Sequence, residues 1–253
     1  MSDPKNILIT GASRGIGQAI ARLAAQQGWS IGLNYNQSQT EAMSLAEELR
    51  QMGTKVICLQ ADVSQQSHVK RMFSEFDEAL GPMHALINNA GILASIMITD
   101  VDETNVHRLY SANVFSVYYC AREAVLRMST AHGGSGGAIV NMSSVAGVDS
   151  TPGGVGYVAS KHAIVGLTKA AALEYAPEKI RINAVAPAVI ETEMLTAGIA
   201  AQPGLEDSMI VKHPIGRFGQ LAEVTRAVLW LCSDEASYIT GTTLMVDGGY
   251  TAQ

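Results

Sequence analysis

Tyr157 and Lys161 stand four residues apart in the run Tyr-Val-Ala-Ser-Lys. On a helix that spacing puts both side chains on one face, an ammonium beside a phenol. A neighbouring positive charge favours phenolate and draws the tyrosine pKa down from about 10. A phenol tuned in this way passes a proton to or from a reacting oxygen. The pair alone decides nothing, since many solvated helices carry the same spacing. Its meaning depends on the elements that would position it.

Residues 6–9 form a short apolar run closed by Thr10 and Gly11 and read as a buried strand. The turn Gly11-Ala12-Ser13-Arg14-Gly15-Ile16-Gly17 follows, then a helix over 18–27 stopped by Gly28. Further strands are expected at 30–35, 55–60, 84–87, 138–142, 180–185 and 242–246. Helices are expected at 38–52, 65–80, 103–129 and 221–232, with one more carrying Tyr157 and Lys161. Ser38 followed by Glu41 suggests the cap of the second helix. This alternation calls for parallel βαβ units with right-handed crossovers. The prediction is an α/β fold: one doubly wound domain over 1–253, with seven mainly parallel strands and helices on both faces. Residues 191–213 carry short, broken helical patterns and are expected to form a substrate lid.

Composition narrows the partners. The chain has 253 residues, 47% hydrophobic and 16% charged, enough for a sizeable core. A net charge of -6 with no basic cluster argues against nucleic acid or an anionic membrane. No apolar run reaches membrane-spanning length. Cys58, Cys120 and Cys232 are scattered and read as reduced packing residues, and no secretory signal precedes the first strand, so a cytoplasmic setting is expected. The six histidines form no metal-like cluster, and no metal is expected.

In such a fold ligands bind at the carboxyl ends of the strands, and the notable residues fall there. Gly11, Gly15 and Gly17 let backbone N–H groups approach a pyrophosphate at a helix N-terminus; a plain tight turn is the alternative. The second strand ends Asn34-Tyr35-Asn36-Gln37-Ser38, with no carboxylate to repel a ribose 2′-phosphate. Arg14 is placed to pair with that phosphate, so NADP(H) is favoured over NAD(H). Asp62-Val63 ends the third strand, where the carboxylate would accept from an adenine amino group or cap the next helix. Asn88-Asn89-Ala90-Gly91 ends the fourth and suits contact with ribose, or a polar turn.

Together these residues resemble the short-chain dehydrogenase/reductases, in the branch of about 250 residues built as one Rossmann-like domain. The resemblance covers nearly the whole chain: Thr10-Gly11-x3-Gly15-x-Gly17, Asp62-Val63, Asn88 to Gly91, Asn113, Ser144, Tyr157-x3-Lys161 and Asn183. Members similar in look are 3-oxoacyl-carrier-protein reductases and glucose dehydrogenases. The resemblance implies that Tyr157 is the general acid in carbonyl reduction. It implies that Lys161 holds the nicotinamide ribose and lowers the Tyr157 pKa. Ser144 would bond the substrate oxygen, and Asn113 would anchor a water linking Lys161 to solvent. Ser143 is the alternative to Ser144, whose offset of 13 residues from Tyr157 fits better. Cofactor contacts are implied for Gly11, Ser13, Arg14, Gly15, Ile16, Gly17, Asn36, Asp62, Val63, Asn89, Ala90, Gly91, Tyr157 and Lys161. Pro187, Ile190 and Thr192 complete that set.

The implied function is hydride transfer between NADP(H) and a carbonyl or alcohol, with a 3-oxoacyl thioester or small ketone as substrate. A glucose or polyol dehydrogenase is the alternative enzyme, and a non-catalytic cofactor-binding regulator the alternative of another class. The resemblance also implies a homotetramer or homodimer built on helices near 103–131 and 157–175. One departure stands out: the family's Pro-Gly after the sixth strand is Pro187-Ala188 here. An alanine there forbids easy positive φ and is expected to alter substrate shape modestly.

Overall fold

Along strand β1 (Asn6–Ile9) successive side chains point to opposite sheet faces. Ile7 and Ile9 enter one apolar core, and Leu8 enters the other. The same alternation recurs in β4 (Ala85–Asn88), where Ala85 and Ile87 oppose Leu86. A strand buried on both faces needs helices on both sides, which the chain supplies. The computed structural model describes residues 5–150, 154–192, 195 and 205–253.

The remaining strands are β2 (Ser30–Tyr35), β3 (Val56–Gln60), β5 (Gly137–Met142), β6 (Ile180–Pro187) and β7 (Thr243–Val246). Their order is β3-β2-β1-β4-β5-β6-β7, and every pairing is parallel. Helices α1 (Gly15–Gln26) and α2 (Gln39–Gln51) cover one face. Helix α3 (Gln66–Leu80) covers the other. Beyond them come α4 (Glu103–Tyr110), α5 (Ser116–Met128), α6 (Val155–Tyr175), α7 (Leu205–Ile210) and α8 (Leu221–Cys232). The α/β doubly wound prediction holds, with a sheet that is wholly parallel. Strand order reverses between β1 and β4, so their carboxyl ends open the crevice where such folds take ligands.

Three local expectations change. The single helix expected over 103–129 is α4 and α5 joined by a π turn, Ser111–Phe115. Ser38 stands at the N-cap of α2 without a capping side-chain bond. Asp62 caps no helix: its Oδ1 accepts from Ser64 N (3.0 Å) and Ser64 Oγ (2.7 Å), a local turn that leaves Gln65 at the start of α3. Of the expected lid at 191–213, residues 193, 194 and 196–204 lie outside the described residues. The cysteines pack as read: Cys120 and Cys232 are buried, and burial pushes the Cys232 thiol up to about 12.

Candidate active site

The glycine turn is held from three sides. Thr10 Oγ1 accepts the amides of Asn89 (2.9 Å) and Ala90 (3.0 Å), drawing the end of β4 against it. Asn89 Nδ2 donates to the carbonyls of Thr10 (2.9 Å) and Gly11 (3.1 Å). Asn34 Oδ1 accepts from Gly11 N (3.1 Å), while its amide nitrogen bonds Leu59 O and Ala61 O, both at 3.1 Å. The sequence marked Asn34 only as part of an acid-free strand end. Its clamp on the turn depends on Leu59 and Ala61, 25 and 27 residues away, which no local pattern carries.

The three glycines of the turn differ in purpose. A Cβ at Gly17 would stand 2.5 Å from Gly11 O and Asn89 Nδ2, so Gly17 serves close packing of turn and helix. Gly11 has φ +62, and its Cβ would press on Ala90 at 3.0 Å. Gly15 has φ +59 and open space where a Cβ would be. The first intrahelical bond of α1 runs from Gln18 N to Arg14 O (3.3 Å), and no side chain caps the helix. The amides of the first turn thus lack intrahelical partners, the arrangement that receives a phosphate. Ile16 turns its side chain into the core, which leaves its backbone for any cofactor contact.

These elements enclose a cleft of about 920 Å³. Of the residues expected to hold a cofactor, Gly11, Ser13, Arg14, Asn36, Asp62, Val63, Asn89, Ala90 and Gly91 line it, and Gly15, Ile16 and Gly17 do not. Gln37, Ser38 and Arg108 line it too. Arg14 is exposed and makes no ion pair among the described residues. Arg108 is likewise unpaired there and had no place in the sequence reading. Its signal was available, since Arg108, Ser111 and Ala112 sit at helical spacing and all line the cleft. The cleft therefore fits a dinucleotide: uncapped helix amides for the pyrophosphate, and an unpaired guanidinium beside hydroxyl and amide side chains.

The second cluster lies at the ends of β5 and β6 and on α6, beyond the lining of that cleft. Lys161 is buried, and its Nζ donates to Met142 O (2.8 Å). Burial lowers its pKa to about 8. The ammonium lies 5.6 Å from the centre of the Tyr157 ring. The Tyr157 phenol is raised above its ordinary value, because burial outweighs the downward pull of its hydrogen bond with Ser144. This corrects the expectation that Lys161 lowers it. The desolvated lysine is a cation over the ring face and is bonded to a carbonyl, and the same burial that depresses Lys161 elevates the phenol.

Two buried serines pin the pair from behind. Ser160 Oγ donates to Tyr157 O (2.7 Å), and Ser143 Oγ donates to Lys161 O (3.1 Å). Of the two candidate serines, Ser143 is spent on the helix, whereas Ser144 stands beside Tyr157. Ser144 Oγ also accepts from Ala146 N (3.2 Å) and lies 3.5 Å from Pro187 O. Asn113 sits in the π turn. Its Oδ1 accepts from Ile92 N (2.8 Å), and its Nδ2 donates to Ile92 O (2.9 Å) and Ser160 Oγ (3.2 Å). Both amide hydrogens are thus used, and any water held by Asn113 meets its oxygens. This network pulls one residue out of helical phase and explains the π turn.

Other expected residues have structural duties. Asn88 bonds Asn141 (2.8 Å), which bonds Thr168 (3.0 Å), locking β4, β5 and α6. Asn183 donates to Ile239 O (2.9 Å) and guides the chain into β7. Ile190 is buried and bridges to Gly219, so its cofactor contact would run through its backbone. Thr192 Oγ1 accepts from Leu195 N (3.3 Å). Ala188 is strain-free: Lys179 is the one non-glycine residue with positive φ among those described, so no glycine is required after Pro187.

Comparisons with known proteins agree with this geometry. A sequence model of the family described as Enoyl-(Acyl carrier protein) reductase matches residues 11–251. The chain is 44% identical over 244 residues to the uncharacterized oxidoreductase YgfF of Escherichia coli (strain K12), covering 96% of this chain and 98% of that one. It is 37% identical over 249 residues to the 3-oxoacyl-[acyl-carrier-protein] reductase FabG of Staphylococcus aureus (strain Mu50 / ATCC 700699), covering 98% and 99%. Among solved structures, ElxO with NADP bound superposes with a TM-score of 0.90 at 32% identity, over 99% of this chain and 100% of its own.

Proposed function

Since the chain belongs to the short-chain dehydrogenase/reductase family, we propose that it is an NADPH-dependent reductase of a carbonyl group in a 3-oxoacyl thioester or small ketone. Enzymes of this family act between alcohols and carbonyls, and that broader chemistry is this chain's too. The observation that carries the finer reading is the half-buried Tyr157 phenol, beside Ser144 and backed by Lys161. In reduction the protonated phenol is the group placed to give a proton to the substrate oxygen.

A bound nicotinamide nucleotide would supply the hydride to the carbonyl carbon. Tyr157 gives its proton to the carbonyl oxygen as negative charge develops there, completing the alcohol. Ser144 donates a hydrogen bond to the same oxygen. Lys161 offsets the charge of the phenolate left behind and reaches the ribose hydroxyls. Arg14, with Asn36, Gln37 and Ser38 at the acid-free end of β2, supports the choice of NADPH. That ElxO carries NADP in a closely superposable fold supports the same choice. The identity to a 3-oxoacyl reductase supports the substrate class, and the segment at 191–213 is proposed to close over it.

The working form is proposed to be a homotetramer or homodimer in the cytoplasm. Tyr118 on α5 (55% exposed) and Leu173 on α6 (80% exposed) leave apolar surface on the helices expected to pair. Among the described residues no helix is long and apolar enough to cross a membrane. The test is a panel of acetoacetyl thioester, small ketones, aldehydes and glucose, each with NADPH/NADP and NADH/NAD. The reading expects the thioester or a ketone with NADPH to lead. A preference for glucose or for NADH would overturn it.

A further inference from the structure

We propose that His213 is a positioning residue for the substrate end of the site, a neutral imidazole tying α7 to the backbone of Val189. The inference rests on the proposed function, in which Pro187, Ile190 and Thr192 contact the cofactor.

His213 is 3% exposed, so its ring nitrogens meet protein. Nδ1 lies 2.9 Å from Met209 O, which can only accept, so Nδ1 carries a hydrogen. Val189 N–H points at Nε2 across 3.4 Å, so Nε2 offers its lone pair. One neutral tautomer satisfies both contacts. The other tautomer sets lone pair against lone pair at Met209, and the cation sets hydrogen against hydrogen at Val189. The ring stands edge-on to Phe218 (5.7 Å between centres) and Tyr250 (5.3 Å), which fixes its plane.

The residues joined in this way belong to two working parts. The amides of Ala188 and Glu191 bond backbone oxygens, Val246 O (3.2 Å) and Gly219 O (2.8 Å). Val189 N–H between them turns instead to a side chain. Two residues earlier, Pro187 O lies 3.5 Å from Ser144 Oγ. On the other side Met209 belongs to α7, a described part of the expected lid segment. A cavity of about 260 Å³ adjoins the ring and is lined also by Ala188, Arg217 and Asp247. The charges there are already partnered: Arg217 with Glu223 (2.7 and 2.9 Å), and Asp247 with the amides of Gly249 and Thr251, each at 3.0 Å. The cavity thus presents no unpaired charge to a ligand, but it gives Val189 room to shift once the imidazole is removed.

The test compares His213→Phe, which keeps a ring and removes both bonds, with His213→Gln, whose amide oxygen can stand in for Nε2. The Phe variant should raise KM for the carbonyl substrate on the order of tenfold, short of the ~100-fold that a 1 Å misplacement can cost. Its kcat and its NADPH dissociation constant should stay near wild type, and the Gln variant should recover most of the loss. Nitrogen NMR of the wild-type protein should report His213 neutral with Nδ1 protonated. Unchanged KM in a folded Phe variant, equal losses in both variants, or a cationic or Nε2-protonated ring would each overturn the proposal. A wild-type enzyme silent toward every carbonyl would defeat the functional reading instead, and the nitrogen shifts would still decide the linkage.

Discussion

At the glycine-turn end of the crevice, uncapped helix amides and polar side chains line an open cleft, and Arg14 there is exposed and makes no ion pair among the described residues. At the Tyr157 end the polar groups are side chains, and nearly every one is fixed by a second group: Lys161 by Met142 O, Asn113 by Ile92, and the helix backbone by Ser143 and Ser160. The first region fits a large anionic ligand through shape and the helix terminus. The second positions a proton donor and shifts its pKa through burial. Binding and chemistry are thus built differently, and they should fail separately under mutation.

Lys161→Met should break the chemical end most deeply, lowering turnover about 10²–10⁴-fold, as loss of proton-transfer machinery does. In the wild-type enzyme a pH profile reads the same group. Its pKa falls from 10.5 to about 8 on burial. Between those values the folded chain binds fewer protons than the unfolded one, so this group's contribution to stability rises with pH across that window. Activity should move the other way, falling as the ammonium is lost above about pH 8. Both trends should vanish in the methionine variant.

Arg14→Ala should sharpen the contrast at the binding end. NADPH should bind about 10–100-fold more weakly, the loss of a charge-assisted contact worth roughly 1.5–3 kcal/mol, while NADH binding barely changes. Titration of protein fluorescence with each nucleotide measures this. The smallest effects lie within the turn. Gly17→Ala should destabilise the fold by about 1–3 kcal/mol through overpacking against Gly11 O. Gly15→Ala meets no neighbour and should cost about 1–2 kcal/mol from its left-handed backbone alone. Thermal unfolding ranks the two.

The strands were legible because periodicity and turn residues are local signals. The cleft residues were legible because they cluster at strand ends. What escaped was set by contacts distant in sequence. The π turn at Ser111–Phe115 follows from the grip of Asn113 on Ile92, 21 residues away. The raised Tyr157 pKa follows from burial, which the four-residue spacing to Lys161 does not encode. Asn34 and His213 read as ordinary polar residues, because their partners lie on other elements.

The separation of the two ends is tested most directly by Tyr157→Phe, measured for NADPH binding and for turnover in the same preparation. The variant should bind NADPH with a dissociation constant near that of the wild type and reduce no carbonyl substrate above background. Full turnover would contradict the assignment of Tyr157 as proton donor, and lost binding would contradict the division between the two regions.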